Sequence, residues 1–113
     1  MDFESEVITR DFLPAARSLL AETLSDDYGL YQKEIGDKMD ITQPAVSQYL
    51  NKKRASKKIL RKFRDDPQIM LLIDEAASKA AKDESYIYEF RQILETVRSK
   101  GLMREKFGNT EKI

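Results

Sequence analysis

The sequence predicts an all-α protein of about six helices. Apolar residues recur at spacings of three and four along most of the 113 residues, where a half-buried strand would alternate. Four glycines and three prolines are too few for the frequent turns of an all-β chain. A hydrophobic share of 41% beside a charged share of 35% describes a folded, charge-rich chain and not a disordered one. The length suits one domain, which buries about two-thirds of its unfolded surface and needs no covalent staples. A region 1–64 and a helical pair 65–113 are expected to form one compact unit.

From residue 3 to residue 25 the chain reads as helix. Leu13, Ala16, Leu20 and Leu24 share one face, which Phe3 and Val7 extend backwards. Pro14 interrupts it, so the sequence predicts either a kink near Leu13 or a second helix starting at Pro14. Gly29 is placed to end the segment. After residues 30–51, Ser56 is the expected cap of a short basic helix, Lys57–Arg64, with Ile59, Leu60 and Phe63 inward. Asp66 and Pro67 suit the cap and first position of the next helix, about 67–82. Its expected inner face is Ile69, Leu72, Ile73, Ala76 and Ala80. A last long helix, about 84–100, carries Ile87, Phe90, Leu94 and Val97 on its face, with Tyr86 and Ile93 beside it. Gly101 is expected to end it, and the last positions of the polar tail to fray. Tyr86 and Tyr88 read as packing residues. Part of the apolar surplus on the two C-terminal helices is left to pair two copies of the chain.

With no cysteine and no histidine, the chain lacks disulfides, thiolate nucleophiles, imidazole bases and the usual zinc or iron ligands. No EF-hand-like or glycine-rich phosphate loop is present. These absences point away from an enzyme, a metal site or a bound cofactor. No apolar run approaches the ~20 residues that span a bilayer. The acidic start MDFESEVITR is unlike a signal peptide. A cytoplasmic protein without membrane contact is therefore expected.

The net charge is zero, but it is unevenly distributed. Residues 1–42 hold four basic and ten acidic side chains, a balance of −6. Residues 43–64 hold eight basic ones and no acid, +8, and residues 65–113 stand at −2. Such polarity confines phosphate attraction to one part of the surface.

The stretch Tyr31–Arg54, YQKEIGDKMDITQPAVSQYLNKKR, places its residues as a helix–turn–helix does. With Gln32 as the first position, Ile35 and Met39 point inward. Gly36 falls where two helices approach closely. Asp40 falls where the turn needs a left-handed backbone, which Asp tolerates. Ile41 plugs the core under the turn, and Thr42 caps the second helix. Pro44 lies in its first turn, where a missing donor costs little. Val46 locks the two helices together, and Tyr49 or Leu50 closes the core. The outward residues at the start of the second helix are then Thr42, Gln43, Pro44, Ser47 and Gln48. A recognition helix sets this end against base edges in the major groove. Gln can pair bidentately with adenine and Ser with either base type, while the Pro44 ring and Ala45 methyl suit a thymine methyl. Gln32, Lys52, Lys53, Arg54 and Lys57 are placed for phosphates, with Lys58 and Arg61 as extensions.

The motif resembles the Cro and phage-repressor type of helix–turn–helix, a lambda repressor-like core. More closely, residues 7–54, with an internal LPA and the run TQPAVSQYLNKKR, are similar to a group of small archaeal transcriptional regulators. The resemblance implies sequence-specific binding of double-stranded DNA in transcription control. It carries base reading to Gln43, Pro44, Ser47 and Gln48, and backbone contact to Gln32, Lys52, Lys53 and Arg54. Tyr31 departs from the usual serine or threonine cap and Asp40 from the usual glycine. A homodimer on a palindromic site is expected, because one short helix offers few base contacts. The alternative is an antitoxin-like or adaptor module that uses the same scaffold to hold a protein partner.

Overall fold

The computed structural model of the chain describes residues 2–111. Its helical backbone starts at Glu4 and continues to Asp26 through one change of register. Helix α1 is Glu4–Val7, a π turn occupies Ile8–Phe12, and α2 is Leu13–Asp26. In the π turn the Leu13 N–H donates to the Ile8 carbonyl, five residues back. Pro14 therefore enters in the first turn of α2, where it has no interior donor to lose. Of the two expected responses to this proline, the second is the nearer, with the new helix starting one residue earlier.

Gly29 (φ +66°) ends α2 as expected, and Leu30 N–H returns to the Leu24 carbonyl. Two eight-residue helices follow, α3 (Gln32–Met39) and α4 (Gln43–Leu50). Then come α5 (Lys57–Arg64), α6 (Pro67–Ala81), α7 (Ile87–Ser99) and the single turn α8 (Arg104–Phe107). The anticipated caps are present. Ser56 accepts from Ile59 N–H at 3.3 Å, and Asp66 from Ile69 N–H at 3.0 Å. All described residues beyond a two-residue parallel strand pair are helix or connection. In that pair β1 (Asp2–Phe3) meets β2 (Thr110–Glu111), which ties the tail back to the start. The expected fraying falls on Lys112 and Ile113, outside the described residues.

Helices α2 and α6 form a spine that contributes to two cores. On one side Leu20, Ala21 and Leu24 of α2 and Ala76, Ala77 and Ala80 of α6 meet Ile35, Met39, Ala45, Val46 and Tyr49. On the other, Phe12, Ala15, Ala16 and Leu19 with Ile69 and Ile73 meet Ile59, Leu60 and Phe63 of α5, Ile93 and Val97 of α7, and Met103. The Phe12 and Phe63 rings pack tilted at 55° with centroids 6.0 Å apart. Small alanines on the α6 face toward α2, α3 and α4 let the helices approach. Each core joins residues from both sides of position 65, so α3 and α4 rest on the C-terminal helices as well as on α2.

The face of α7 differs from expectation. Ile93 and Val97 are buried, with Glu89 and Thr96, while Phe90 and Leu94 are half-buried and Ile87 is 65% exposed. The helix also starts at Ile87, three residues later than expected. The inward turn of Glu89 is made possible by Lys79 of α6, whose ammonium lies 2.7 Å from its carboxylate. Leu72 of α6 is half-buried, and Ala77 takes a fully buried place beside Ile73 and Ala76.

Candidate nucleic-acid interface

Glu34 supplies the start of α3 that Tyr31 cannot supply with its own side chain. Its carboxylate accepts from the Tyr31 N–H at 3.1 Å. Tyr31 itself is 81% exposed. The turn between α3 and α4 is built around Gly36. Its carbonyl accepts from both Asp40 N–H and Ile41 N–H, and Asp40 is left-handed at φ 56°, ψ 46°. A Cβ on Gly36 would lie 2.8 Å from the Ile41 carbonyl oxygen. The small residue is thus required by the backbone of the turn, with Val46 Cγ2 next at 3.6 Å. Thr42 caps α4 by accepting from Ala45 N–H at 3.2 Å.

The inward residues of this pair are Ile35, Gly36, Met39, Ala45, Val46 and Tyr49. Of the two residues expected to close the core, Tyr49 does so; Leu50 and Ile41 are half-buried and pack against its edge rather than within it. Tyr49 wins because its ring fits under the chain leaving α4: the Arg54 guanidinium lies 5.2 Å above it, and Arg17 donates to its hydroxyl at 3.4 Å. Ala45 is buried in the core that α4 shares with α2, so its methyl has little surface to offer a base.

The outward face of α4 carries Thr42, Gln43, Pro44 and Gln48, all exposed, and Ser47, half-buried. Gln43 and Pro44 have no side-chain hydrogen bond among the described residues. Ser47 receives the Asn51 amide at 3.4 Å, and the Gln48 carbonyl oxygen accepts from Arg54 Nε at 2.5 Å. Asn51, exposed one turn after Ser47, belongs to this polar face and went unnoticed in the sequence. Its signal was available, since residues 47 and 51 are one helical turn apart.

At the end of α4 the chain reverses through Lys52, left-handed at φ 58°. Lys53 N–H returns to the Gln48 carbonyl at 2.9 Å. No glycine marks this reversal, so the sequence offered no sign of it. The reversal carries Lys52 toward Glu22 of α2, with its ammonium 3.5 Å from the carboxylate. Arg64 of α5 binds the same carboxylate through two 2.6 Å hydrogen bonds, which hold the Glu22 carboxyl below its usual range. Lys58 and Lys62 are drawn to Glu105, at 3.4 and 3.7 Å. Of the eight cations in residues 43–64, those without a carboxylate partner among the described residues are Lys53, Arg54, Lys57 and Arg61. Lys52 is therefore a weaker phosphate candidate than its position suggested, and Arg61 a stronger one. Lys57 and Arg61 line a shallow groove with Lys52 and Arg64. Gln32, at the first position of α3, is half-buried.

No group of three or more His, Cys, Asp or Glu that could hold a metal ion occurs among the described residues. Among the described residues no helix is long and apolar enough to cross a membrane. No family model matches the chain, and no curated protein or solved structure is significantly similar to it.

Proposed function

We propose that the chain is a sequence-specific double-stranded DNA-binding transcriptional regulator that reads the major groove with α4. The observation that carries this reading is the surface around α4. An uncharged face of Thr42, Gln43, Pro44 and Gln48, exposed, with half-buried Ser47, runs into Lys53 and Arg54 at the end of the helix, and Lys57 and Arg61 follow on α5; none of these four cations has a carboxylate partner among the described residues. A helix that only needs solubility carries Glu and Lys on its outer face. This one carries groups that can donate to and accept from base edges, with phosphate-binding groups at the end where it would leave the groove.

In this reading Gln43, at the start of α4, is the foremost base reader. Gln48 reads through the amide hydrogens that Arg54 leaves free, and Arg54 fixes its orientation. The stack of Arg54 on Tyr49 keeps the guanidinium close to the core while its remaining donors face outward. One eight-residue helix contacts few base pairs. Two copies on a palindromic site, with half-sites one DNA turn apart at roughly 34 Å, double that number. Leu71 and Tyr88, exposed on α6 and α7, are apolar side chains available to such pairing.

Selection of bound sequences from random duplex DNA tests the reading. A palindromic motif is expected to emerge. Gln43→Ala should relax preference at one base pair per half-site, a loss of about 1–3 kcal/mol in discrimination. Lys53→Ala should weaken binding to all sequences alike and lower the salt slope by about one unit per copy. Selection that enriches nothing would favour the adaptor reading, in which a protein partner takes the place of DNA.

A further inference from the structure

A second site lies away from the α4 face. The π turn, α2, the end of α3 and the start of α7 enclose a half-open cleft of about 350 Å³. Its walls are apolar: Phe12, Leu13, Met39, Phe90 and Leu94 among them, with Tyr86 packed on Phe90 at 5.0 Å between ring centroids. The volume lies within the ~300–1,000 Å³ range of small-molecule sites. Two cations line this apolar space, Arg17 and Arg91. Neither has a carboxylate partner among the described residues.

Arg17 is the informative one. It projects from the middle of α2, is half-buried, and has as its hydrogen-bond partner among the described residues the Tyr49 hydroxyl at 3.4 Å. A partly desolvated guanidinium ordinarily takes a carboxylate or several oxygen acceptors. Arg98, the other half-buried arginine among the described residues, follows that rule and holds Glu4. Arg17 lines the cleft, and beyond the Tyr49 hydroxyl no acceptor among the described residues takes its donors. The cleft also contains the π turn, a departure from α-helix that is frequent at functional sites.

We propose that this cleft binds a small amphipathic carboxylate, with the anionic head on Arg17, supported by Arg91, and an aliphatic or aromatic body against Phe12, Leu13, Phe90 and Leu94. An apolar wall with a convergent fork of donors selects for this chemistry. A neutral ligand leaves the guanidinium unanswered, and a cationic one is repelled by it. The site stands whether or not α4 reads DNA, since none of these residues belongs to the α4 surface. It adjoins that region all the same, because Arg17 touches Tyr49 and Met39 ends α3.

The test uses the whole chain and three probes with one tail: octanoate, octan-1-ol and octylamine. Calorimetric titration should show one octanoate per chain, with octan-1-ol at least tenfold weaker and octylamine weaker again. Arg17→Gln, which keeps a polar side chain on α2, should weaken octanoate at least tenfold while leaving octan-1-ol unchanged. Leu94→Trp, which fills the cleft from its half-buried rim, should abolish binding of octanoate and octan-1-ol. Backbone amide shifts on octanoate addition should cluster at residues 8–17 and 86–94. Absence of binding at millimolar octanoate, equal binding of octanoate and octan-1-ol, indifference to Arg17→Gln, or shifts centred elsewhere would each overturn the proposal. So would sedimentation showing a stable dimer that Leu94→Trp dissociates, since a second copy would then fill the cleft.

Discussion

Replacing Gly36 with alanine is expected to destabilise the protein, although alanine is the better helix former. The new methyl would stand 2.8 Å from the Ile41 carbonyl oxygen, several tenths of an ångström inside ordinary contact. That oxygen is backbone. It belongs to a turn held by two N–H groups, of Asp40 and Ile41, on the Gly36 carbonyl itself. Relief therefore requires moving the turn, and with it the start of α4, where Gln43 N is 3.7 Å from the same methyl position. Overpacking of this kind costs about 1–3 kcal/mol. The gain in helix propensity returns about 0.8–1.0 kcal/mol. The expected net loss is about 1 kcal/mol, a drop of roughly 4 °C in Tm for a chain of this size. Circular dichroism during thermal and urea unfolding measures it. Gly29→Ala is the informative comparison. Nothing lies within 4 Å of its Cβ position, and its cost of about 1 kcal/mol comes from the left-handed backbone alone. Both variants should lose stability, but only Gly36→Ala should displace α4 and weaken binding to a selected duplex. A Tm for Gly36→Ala equal to or above that of the wild-type protein would refute the crowding argument.

Two further outcomes follow from the ion pairs. Glu22→Gln releases Arg64 and Lys52 from their shared carboxylate, so duplex affinity at low salt should rise and the salt slope should steepen by about one unit per cation that reaches a phosphate; electrophoretic mobility shift across a salt series reads this, and an unchanged slope would show that neither cation can reach the backbone. Asp66 bears on acid stability. Its burial raises the carboxyl pKa, but the Lys100 ammonium at 2.8 Å and the Ile69 N–H outweigh burial and leave it lowered. A lowered folded-state pKa gives stability that is present above the unfolded value, near pH 4, and is lost as pH falls through the folded one. Asp66→Asn, which keeps a capping side chain, should be less stable than wild type at pH 7, and the difference should shrink below pH 4. A difference that stays constant from pH 7 to pH 2 would remove Asp66 from the acid transition.

The sequence by itself determined what depends on a few neighbouring residues. An all-helical chain, the caps Thr42, Ser56 and Asp66, the left-handed Asp40 and Gly29, and the inward Ile35, Met39 and Val46 all rest on short-range hydrogen bonds, backbone preferences or helical spacing. These act within about one turn of chain, so the local string contains them. Tertiary structure decided the matters that need a partner distant in sequence. Tyr49 took the core place in preference to Leu50 because Arg17 and Arg54 meet it from two sides. Glu89 turned inward because Lys79 came with α6. Four of the eight cations in residues 43–64 were drawn to Glu22 and Glu105, each to a carboxylate 30 or more residues away. The cleft at Arg17 exists only where the π turn, α2, α3 and α7 converge. Charge and amphipathic pattern along a chain state how much attraction and apolar surface are present. Which groups satisfy one another, and which are left facing outward, is settled by packing.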